Sequence, residues 1–299
     1  MIRRRTLLKL LLGGFMSLVA TASYPFVESM GRPRITRYRL TPGHWAPGLK
    51  LKICVLADFH ACRPWMTPAR MRSICGQAQE LGADIILLLG DYLPGVKVMT
   101  EKLPPEEWVA PLKGLKAPLG VHAVLGNHDY WGDREFQNDP TRESFVARTL
   151  SDAGISVYIN RAARIEKDGQ AFWLAGLGDQ LAILPRDRLS RDDVTGIDDL
   201  PATLLQVRDD APVILMAHEP DAFFDVSERI ALTLSGHTHG GQFNLFGWRP
   251  FTSTDGSKRY PAGLYREKQG DLIVSKGLGC SALPLRIGSW PEILLIELG

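Results

Sequence analysis

Short apolar runs alternate with amphipathic segments along most of the chain from residue 51 onwards. Each run has the length of a buried strand and is too short for a helix of ordinary length. The runs predict strands at residues 51–57, 84–89, 120–125, 161–166, 171–176, 212–217, 231–235, 272–275 and 293–298. The amphipathic segments predict helices at residues 67–81, 105–115 and 141–153. Apolar strands that alternate with helices in this order indicate βαβ units and a mostly buried sheet.

Two local motifs support these elements. Thr67 followed by Pro68 is typical of a helix N-cap with proline at the first helical position. Residues 167–170, which read Lys-Asp-Gly-Gln between two apolar strands, predict a tight hairpin turn. The sequence contains no internal repeat, and no change of composition marks a domain boundary after residue 50. Residues 50–299 are therefore predicted to form one domain.

The first 22 residues differ from the rest of the chain. Arg3, Arg4 and Arg5 precede an apolar run over residues 10–22, which ends in the small-residue sequence Ala-Thr-Ala. A basic region, a short apolar region and such a site are the parts of a signal peptide. The sequence Arg-Arg-Thr-Leu-Leu-Lys at residues 4–9 favours twin-arginine export, with an ordinary signal or an amphipathic start as the alternative.

The sequence leaves open whether this signal is cleaved. The apolar run is short for a membrane span of about 20 residues, although Tyr24, Phe26 and Val27 could extend it into an anchor. Residues 23–49 are rich in proline, glycine and arginine and are predicted to be a linker or an edge strand. We expect the protein in the periplasm or at the outer face of the cytoplasmic membrane, with the twin-arginine translocase as its export partner and possible membrane association through the N-terminus.

The composition is that of a folded globular protein. The 299 residues are 45% hydrophobic and 23% charged, close to the averages of soluble domains. The formal net charge is +2, but the first 22 residues hold four basic and no acidic residues, so the remainder carries −2. Such a body has no strong basic surface, which argues against a nucleic-acid partner. The four cysteines form no CxxC pair and are too sparse for a disulfide scaffold.

Polar clusters rich in histidine follow the carboxyl ends of five predicted strands. The clusters are Asp58-Phe59-His60, Gly90-Asp91, Gly126-Asn127-His128-Asp129, Ala217-His218-Glu219 and Gly236-His237-Thr238-His239. They contain five of the seven histidines in the chain. Open α/β sheets bind their ligands at the carboxyl ends of the strands, so we expect the clusters to converge. Taken alone, Asn127 and Asp129 are also typical turn-capping residues.

The clusters offer imidazole nitrogens, carboxylate oxygens and one amide oxygen, without a thiolate. Such ligands suit Mn, Fe or Zn ions rather than a structural zinc–thiolate site. The candidates are too numerous for one tetrahedral ion and about sufficient for two ions that share a carboxylate. A pair of divalent ions favours in-line displacement at phosphorus, because it holds the attacking and leaving oxygens and lowers the pKa of a bound water.

The series D-x-H, G-D, G-N-H-D, a single His and G-H-x-H resembles the signature of the calcineurin-like metallophosphoesterases, over roughly residues 50–298. The resemblance implies an α/β (α+β) fold, namely a four-layer αββα sandwich of two packed mixed sheets flanked by helices. It also implies a metal-dependent phosphoric ester hydrolase with two divalent ions and a metal-bridging hydroxide as the nucleophile.

The resemblance assigns a role to each polar cluster. Seven side chains would hold the two metal ions: Asp58, His60 and His239 the first, Asn127, His218 and His237 the second, and Asp91 both. His128 would lie over the phosphate, where it would stabilise the transition state or protonate the leaving group. Asp129 would orient His128.

Within the family, the N-terminal motif and residues 236–242, 263–265 and 274–279 are most similar to the bacterial YkuE/YaeI-type phosphodiesterases. Some relatives in that branch cleave the pyrophosphate of a UDP-2,3-diacylglucosamine lipid precursor. The resemblance therefore implies a phosphodiester or pyrophosphate substrate, with lipid-linked and nucleotide-linked esters as the candidates. Cys62 stands where glycine is usual and puts the shape of the first loop in doubt.

Two questions stay open in the sequence. Aromatic residues after the last histidine motif form either an apolar rim that meets a lipid or nucleotide, or a packed hairpin; they are Phe243, Phe246, Trp248, Phe251 and Tyr260. The chain could also be a metal-binding envelope protein that kept the fold without catalysis. Against that alternative, neither a ligand nor the catalytic histidine of the signature is missing.

Overall fold

The computed structural model describes residues 3–185 and 194–299. These ranges contain the helices α1 (Arg4–Met30), α2 (Pro68–Gln79), α3 (Pro105–Lys113), α4 (Asn127–Trp131), α5 (Arg134–Asn138), α6 (Phe145–Asp152), α7 (Leu200–Leu204) and α8 (Asp255–Arg259). They contain the strands β1 (Arg34–Leu40), β2 (Leu51–Leu56), β3 (Cys62–Arg63), β4 (Ile85–Leu89), β5 (Gly95–Val96), β6 (Glu101–Lys102), β7 (Val121–Val124), β8 (Ser156–Val157), β9 (Arg161–Lys167), β10 (Gln170–Gly176), β11 (Val213–Met216), β12 (Ile230–Ser235), β13 (Gly263–Glu267), β14 (Gly270–Val274), β15 (Ser281–Ala282) and β16 (Glu292–Leu298). Two 3-10 helices, Pro220–Phe224 and His239–Gly241, follow β11 and β12.

Two six-stranded sheets organise the fold. The first has the strand order β1-β16-β2-β4-β7-β8, and the second has the order β13-β14-β12-β11-β10-β9. Strands β2, β4, β7 and β8 are parallel in the first sheet, and β10, β11, β12 and β14 are parallel in the second. Antiparallel pairs of β16 with β2, β9 with β10 and β13 with β14 make both sheets mixed.

The side chains of β2 show how the layers pack. Ile53 and Val55 point into the apolar layer between the two sheets, which also contains Phe172 of β10. Cys54 and Leu56 point the other way, into the layer beneath helices α2, α3 and α6. Successive strand residues face opposite sides, so an unbroken apolar run is buried on both faces of its sheet.

A third apolar layer covers the outer face of the second sheet. Leu215 of β11 packs there with Phe223 of the first 3-10 helix and with Tyr260, the residue after α8. The order of layers is thus helices, sheet, sheet and helices. This order confirms the predicted four-layer sandwich.

Local chemistry accounts for the ends of several elements. The Thr67 hydroxyl accepts a hydrogen bond from the Arg70 N–H at 3.3 Å, which caps α2 where the sequence predicts a helix start. In the turn between β9 and β10, Asp168 and Gly169 have φ values of 52° and 78°. Two left-handed residues are what a two-residue hairpin turn requires. The predicted hairpin is therefore confirmed.

Some elements differ from the prediction. The helix expected at residues 141–153 begins only at Phe145, because the Ser144 hydroxyl accepts the Val146 N–H at 3.2 Å and caps it there. Residues 127–131, expected in a strand-end loop, form α4. Strand β13 has no counterpart in the prediction, since its side chains are all partly exposed and its apolar signal is weak.

Helix α1 is longer than the apolar run that predicted it. It has 27 residues, includes Pro25, and is long and apolar enough to cross a membrane, a test that N-terminal signal sequences also pass. Most of its described side chains are exposed, but Glu28 and Ser29 in its last turn are buried against the body. The predicted boundary at residue 22 falls inside this continuous helix. Residues 34–40, within the predicted linker or edge segment, form edge strand β1.

Candidate metal centre

The structure brings the seven predicted ligands to one edge of the sandwich. In the first sheet, β2, β4 and β7 end shortly before Asp58, Asp91 and Asn127. In the second sheet, β11 and β12 end shortly before His218 and His237. The two sheets pack face to face, so side chains from both sets of strand ends can meet.

The backbone is strained where it presents these side chains. Positive φ values occur at five of the seven predicted ligands: 56° at Asp58, 50° at His60, 58° at Asp91, 65° at His237 and 51° at His239. A side-chain-bearing residue in this region costs about 1–3 kcal/mol and persists only where the surrounding structure fixes it. Such strain clusters at functional sites, and its concentration here indicates one.

Asp58, His60 and His239 form a first group, with one ligand atom of each within 4.8 Å of the others. The Nε2 atoms of His60 and His239 lie 3.0 Å apart, and His239 Nε2 lies 3.9 Å from Asp58 Oδ1. Metal–nitrogen bonds measure about 2.0–2.1 Å for zinc. One ion can therefore contact both imidazoles.

Asp91, His218 and His237 form a second group within the same limit. His218 Nε2 lies 3.3 Å from Asp91 Oδ2, and His237 Nδ1 lies 3.1 Å from the side-chain oxygen of Asn127. The amide oxygen predicted as a ligand is thus adjacent to this group.

Asp91 lies between the two groups. Its Oδ2 atom is 3.4 Å from Nε2 of His60 in the first group and 3.3 Å from Nε2 of His218 in the second. A carboxylate in this position can contact two neighbouring ions at once, which is the arrangement that a dinuclear centre needs.

Hydrogen bonds at the outer nitrogens orient three of the imidazoles. Nδ1 of His60 lies 2.9 Å from the Leu93 carbonyl, and Nδ1 of His218 lies 2.6 Å from the Leu89 carbonyl. A carbonyl can only accept, so both Nδ1 atoms carry a proton and both Nε2 atoms point into the site. Metal-binding histidines have this second hydrogen bond almost without exception.

The third imidazole, that of His237, is turned the other way. Its Nε2 hydrogen bonds with the Ser253 hydroxyl at 2.7 Å, which leaves Nδ1 facing Asn127. Ser253 is a site residue that the sequence analysis missed, since a single serine in a polar loop has no distinguishing pattern.

Two buried polar atoms in the site have no hydrogen-bond partner within the described parts of the chain. Among the predicted ligands they are Oδ2 of Asp58 and Nε2 of His218, which has no hydrogen bond but lies 3.3 Å from Asp91 Oδ2. Leaving such atoms unpaired in an interior costs about 1–3 kcal/mol each, and more for a charged group. Both belong to the predicted ligand set, so a bound cation would satisfy them, and the residues fit two divalent ions.

Burial governs the protonation of four predicted ligands, namely the three residues of the first group and His237 of the second. It raises the pKa of Asp58 to about 7 and lowers the pKa of His60 to about 4. Burial likewise lowers the pKa of His237 to about 3 and that of His239 well below its usual value. These three imidazoles are therefore neutral at physiological pH, which is the state that binds a metal.

Asp91 and His218 form a tightly coupled pair. Burial opposes the charge on Asp91, but His218, His128 and His60 outweigh it and hold the pKa of that carboxyl well below its usual range. Burial also opposes the charge on His218, and Asp91 outweighs it, so the pKa of His218 is raised well above its usual value. The low pKa of Asp91 keeps its carboxylate available as a ligand.

The Asp129 carboxylate holds the loop that presents Asp91. Its Oδ2 accepts the N–H groups of Asp91 and Gly126, both at 2.9 Å. Its Oδ1 accepts those of Tyr92 and Leu93, at 2.8 and 2.9 Å. The geometry thus gives Asp129 a function in loop positioning, while its predicted orienting of His128 stays a prediction.

His128 lies beside the ligand groups without belonging to either of them. Its backbone N–H donates to Asp91 Oδ1 at 3.0 Å, and its ring centroid is 5.0 Å from that of His60 and 5.0 Å from that of Trp131. Its half-buried ring can meet a phosphate bound at the site. This position is compatible with the predicted role of His128 in catalysis.

Two further buried residues support the site without a sequence signal. Arg286 is fully buried, donates to three backbone carbonyls, and donates from Nη2 to Nδ1 of His239 at 3.1 Å. The proton of a neutral His239 is therefore on Nε2, from which a metal would have to displace it. Asp179 groups with His218 and Glu219, and burial, reinforced by the Glu219 charge, raises its pKa well above the usual range. Both residues lie far from the motifs in sequence, so only the folded chain brings them to the site.

Cys62 takes no place in either ligand group. It lies in β3, where it is buried and packs with Val96 and Cys280 in a small apolar cluster. Its backbone pairs with Lys102 of β6, which gives the first loop a short strand where the family pattern has a glycine.

Comparisons with known proteins agree with this centre. Residues 51–241 match the family described as calcineurin-like phosphoesterase. The chain is 30% identical over 83% of its length to the uncharacterized metallophosphoesterase YkuE of Bacillus subtilis, of which it covers 78%. It is 31% identical over 83% of its length to the phosphodiesterase YaeI of Escherichia coli, of which it covers 82%. It is 28% identical over 99% of its length to a transmembrane protein with metallophosphoesterase domain from Danio rerio, and spans 63% of that protein.

Proposed function

Because the chain belongs to the calcineurin-like phosphoesterase family and is thus a metal-dependent phosphoric ester hydrolase, we propose that it hydrolyses a phosphodiester or pyrophosphate bond with two divalent ions. The position of Asp91 carries this proposal, since its Oδ2 lies 3.4 and 3.3 Å from the inward nitrogens of His60 and His218.

Seven side chains of the protein would hold the two divalent ions. The two ions would be held by Asp58, His60 and His239, by Asn127, His218 and His237, and by Asp91 between them. Mn, Zn and Fe all suit this set of nitrogen and oxygen donors. When bound, such ions lower the pKa of a bound water and neutralise charge on the phosphate oxygens.

We assign to His128 the protonation of the leaving group or the stabilisation of the transition state. Its ring is beside His60 and close to the ligand groups, so it can donate a proton to the leaving oxygen or stabilise the charge of the transition state. Asp129 supports this step by fixing the backbone on either side of Asp91. Because the nucleophile comes from water, no covalent phosphoenzyme should form.

Three variants test the assignment. Asp91→Ala should remove both metals and all activity, because both groups lose a ligand. His128→Ala should keep the metals and lower kcat by about 10²–10⁴, the usual contribution of a proton donor. His44→Asn is the matched control, since His44 is exposed and has a positive φ that asparagine tolerates.

Metal content is measured by mass spectrometry, and turnover is measured on aryl phosphodiesters, aryl phosphomonoesters and nucleotide pyrophosphates. If Asp91→Ala retained two metals, or His128→Ala were as fast as the parent, the assignment would be wrong. A parent protein that binds two metals and cleaves none of these compounds would instead favour the non-catalytic envelope protein.

A second candidate is a pyrophosphatase for a UDP-2,3-diacylglucosamine-type lipid at the membrane surface. The observation that favours it is a cleft lined by His60 together with Ser29 and Met30 of α1. A helix of membrane-spanning length thus ends beside a predicted ligand. Cleavage of this lipid, compared with its deacylated nucleotide-sugar analogue, distinguishes the two candidates.

We further propose twin-arginine export and a location in the periplasm or at the outer face of the cytoplasmic membrane. The double arginine at Arg4 and Arg5 supports this proposal. Replacing both with lysine should abolish export, whereas Arg3→Lys should not. N-terminal sequencing of the exported protein then shows whether residues 1–22 are removed.

A further inference from the structure

An exposed loop of aromatic side chains follows the last histidine motif. Residues 243–251 form this aromatic loop. Phe246 is fully exposed in it, and Trp248 and Phe251 are 63% and 65% exposed. Large apolar side chains exposed this close together mark a contact surface. Of the five aromatic residues that the sequence singles out, Phe246, Trp248 and Phe251 are exposed, whereas Phe243 packs against Phe251 and Tyr260 is buried.

The tip of the loop is a tight turn. Leu245 and Trp248 exchange backbone hydrogen bonds, with N–O distances of 2.9 and 3.1 Å. Between them, Phe246 and Gly247 have φ values of 54° and 97°, as in a two-residue hairpin turn with both residues left-handed. A phenylalanine in this conformation is uncommon and costs energy. The fold therefore loses some stability by holding Phe246 in this exposed position.

The aromatic loop lies next to the end of α1. The carboxylate of Glu28, in the last turn of α1, accepts the N–H groups of Gly288 and Ser289 at 3.0 and 2.5 Å. The preceding residue, Ile287, accepts the N–H of Asn244 at 2.7 Å. One short segment therefore fixes the last turn of α1 on one side and the base of the loop on the other.

The exposed apolar surface of α1 indicates which kind of partner lies next to the aromatic loop. The 18-residue window of α1 with a mean hydropathy of 1.6 buries none of its surface within the described structure. A helix of 27 residues is about 40 Å long, and a lipid bilayer is the surrounding that covers such a surface along its whole length. A second protein copy seated on the loop alone would leave α1 in water.

We propose that the aromatic loop inserts into the interfacial layer of the bilayer that α1 enters, next to the end of that helix. Tryptophan is enriched in this layer, and phenylalanine is common on the apolar side of segments that lie in it. The partner of this surface is thus the headgroup region of a membrane.

The loop also connects to the metal centre. Ser253, two residues beyond it, hydrogen bonds with Nε2 of His237 at 2.7 Å. On the other side, the cleft beside His60 is lined by Ser29 and Met30 of α1. The aromatic loop and the end of α1 thus flank the metal centre, and a membrane at that position would bring lipid-linked phosphate esters close to it. This consequence rests on the proposed hydrolase function, whereas the contact of the loop with lipid does not.

A fluorescent label on the loop tests the proposal in the full chain. Phe246→Cys introduces an exposed thiol, and the four native cysteines are buried, so labelling is selective. Lys116→Cys is the matched control, because Lys116 is exposed and precedes β7, at the opposite end of the strands from the metal centre. Both labelled proteins are reconstituted into phosphatidylcholine–phosphatidylglycerol vesicles with or without brominated acyl chains.

The label at residue 246 should lose about half or more of its emission to brominated lipid, as expected for a group about 5–10 Å deep in the interface. The label at residue 116 should be unaffected. If both labels lost the same fraction of their emission to brominated lipid, the proposal would be overturned. It would also be overturned if, in detergent solution, a second copy of the chain shielded the label at residue 246. Repeating the measurement with His128→Ala separates the two questions, since lipid contact should persist in a protein whose hydrolysis is impaired.

Discussion

Asp129→Asn removes half of the acceptors that hold the loop of Asp91 in place. In the parent, one carboxylate oxygen accepts the N–H groups of Asp91 and Gly126, and the other accepts those of Tyr92 and Leu93, all at 2.8–2.9 Å. An asparagine side chain has one acceptor oxygen, and its NH2 group only donates. Two buried N–H groups therefore lose their partner and face another donor.

The expected loss follows from these two bonds. Burial raises the pKa of Asp129 to about 7, so its carboxylate is charged above that pH. There a hydrogen bond to a charged group contributes about 1.5–3 kcal/mol, so the free energy of unfolding should fall by about 3–6 kcal/mol. Native proteins are stable by about 5–15 kcal/mol, so the variant should be weakened and still largely folded. Because Asp91 is presented by the same loop, metal affinity should also fall by about 10–100-fold, as it does when other outer partners of metal ligands are removed.

Asp133→Asn is the matched control for this change. Asp133 is buried and accepts the N–H groups of Glu135, Phe136 and Phe145 at 3.1, 3.0 and 2.8 Å, without contacting a predicted ligand. It should lose stability and keep its metals. Urea unfolding followed by circular dichroism and titration of Mn²⁺ measure the two effects. The reasoning is refuted if the free energy of unfolding of Asp129→Asn lies within about 1 kcal/mol of the parent value. It is also refuted if Asp129→Asn binds metal as tightly as Asp133→Asn.

Two further changes address the packing and protonation of the centre. Gly126→Ala would place a methyl group 2.4 Å from Asp91 Oδ1, so metal binding and turnover should collapse. Gly76→Ala, in a helix with nothing within 4 Å, should instead raise the unfolding free energy by about 0.5–1 kcal/mol, and equal behaviour of the two variants would contradict the packing argument. Asp58 has a pKa of about 7, His60 has one of about 4, and the pKa of His218 is raised well above its usual value. Below pH 7, Asp58 and His218 therefore each carry a proton that a metal must displace, while His60 stays neutral. Mn²⁺ affinity measured by calorimetry should fall by about tenfold or more per pH unit below pH 7, with proton release, and a constant affinity would contradict the assignment.

The strand ends and their polar residues follow from local sequence. A run such as residues 51–57 has no polar face, so it must be buried on both sides, and the first polar residue after it must leave the sheet at its edge. The same argument applied to five strands finds Asp58, Asp91, Asn127, His218 and His237 without coordinates. The alternation of strands and helices indicates βαβ units and a buried sheet, whereas the four-layer sandwich is implied by the family resemblance.

The weakly patterned elements could not be read from the sequence. Strand β13 lies at a sheet edge, and its half-exposed side chains lack an apolar alternation. The N-terminal apolar run indicates a signal or an anchor, but it does not show that the helix continues to Met30 or that Glu28 is buried. Those features depend on backbone donors near residue 288, which come from the opposite end of the chain.

The sequence by itself determined which residue types stand at which strand ends, because hydrophobic period and turn chemistry are local properties of the chain. Only the tertiary structure decided that Asp91 lies between His60 and His218, and which nitrogen of each imidazole faces inward. These distances depend on the order of the strands and on the packing of two whole sheets. Such contacts, which join residues from 33 to 129 positions apart in the case of the two imidazole–carbonyl hydrogen bonds, are set by the entire core, and no local pattern encodes them.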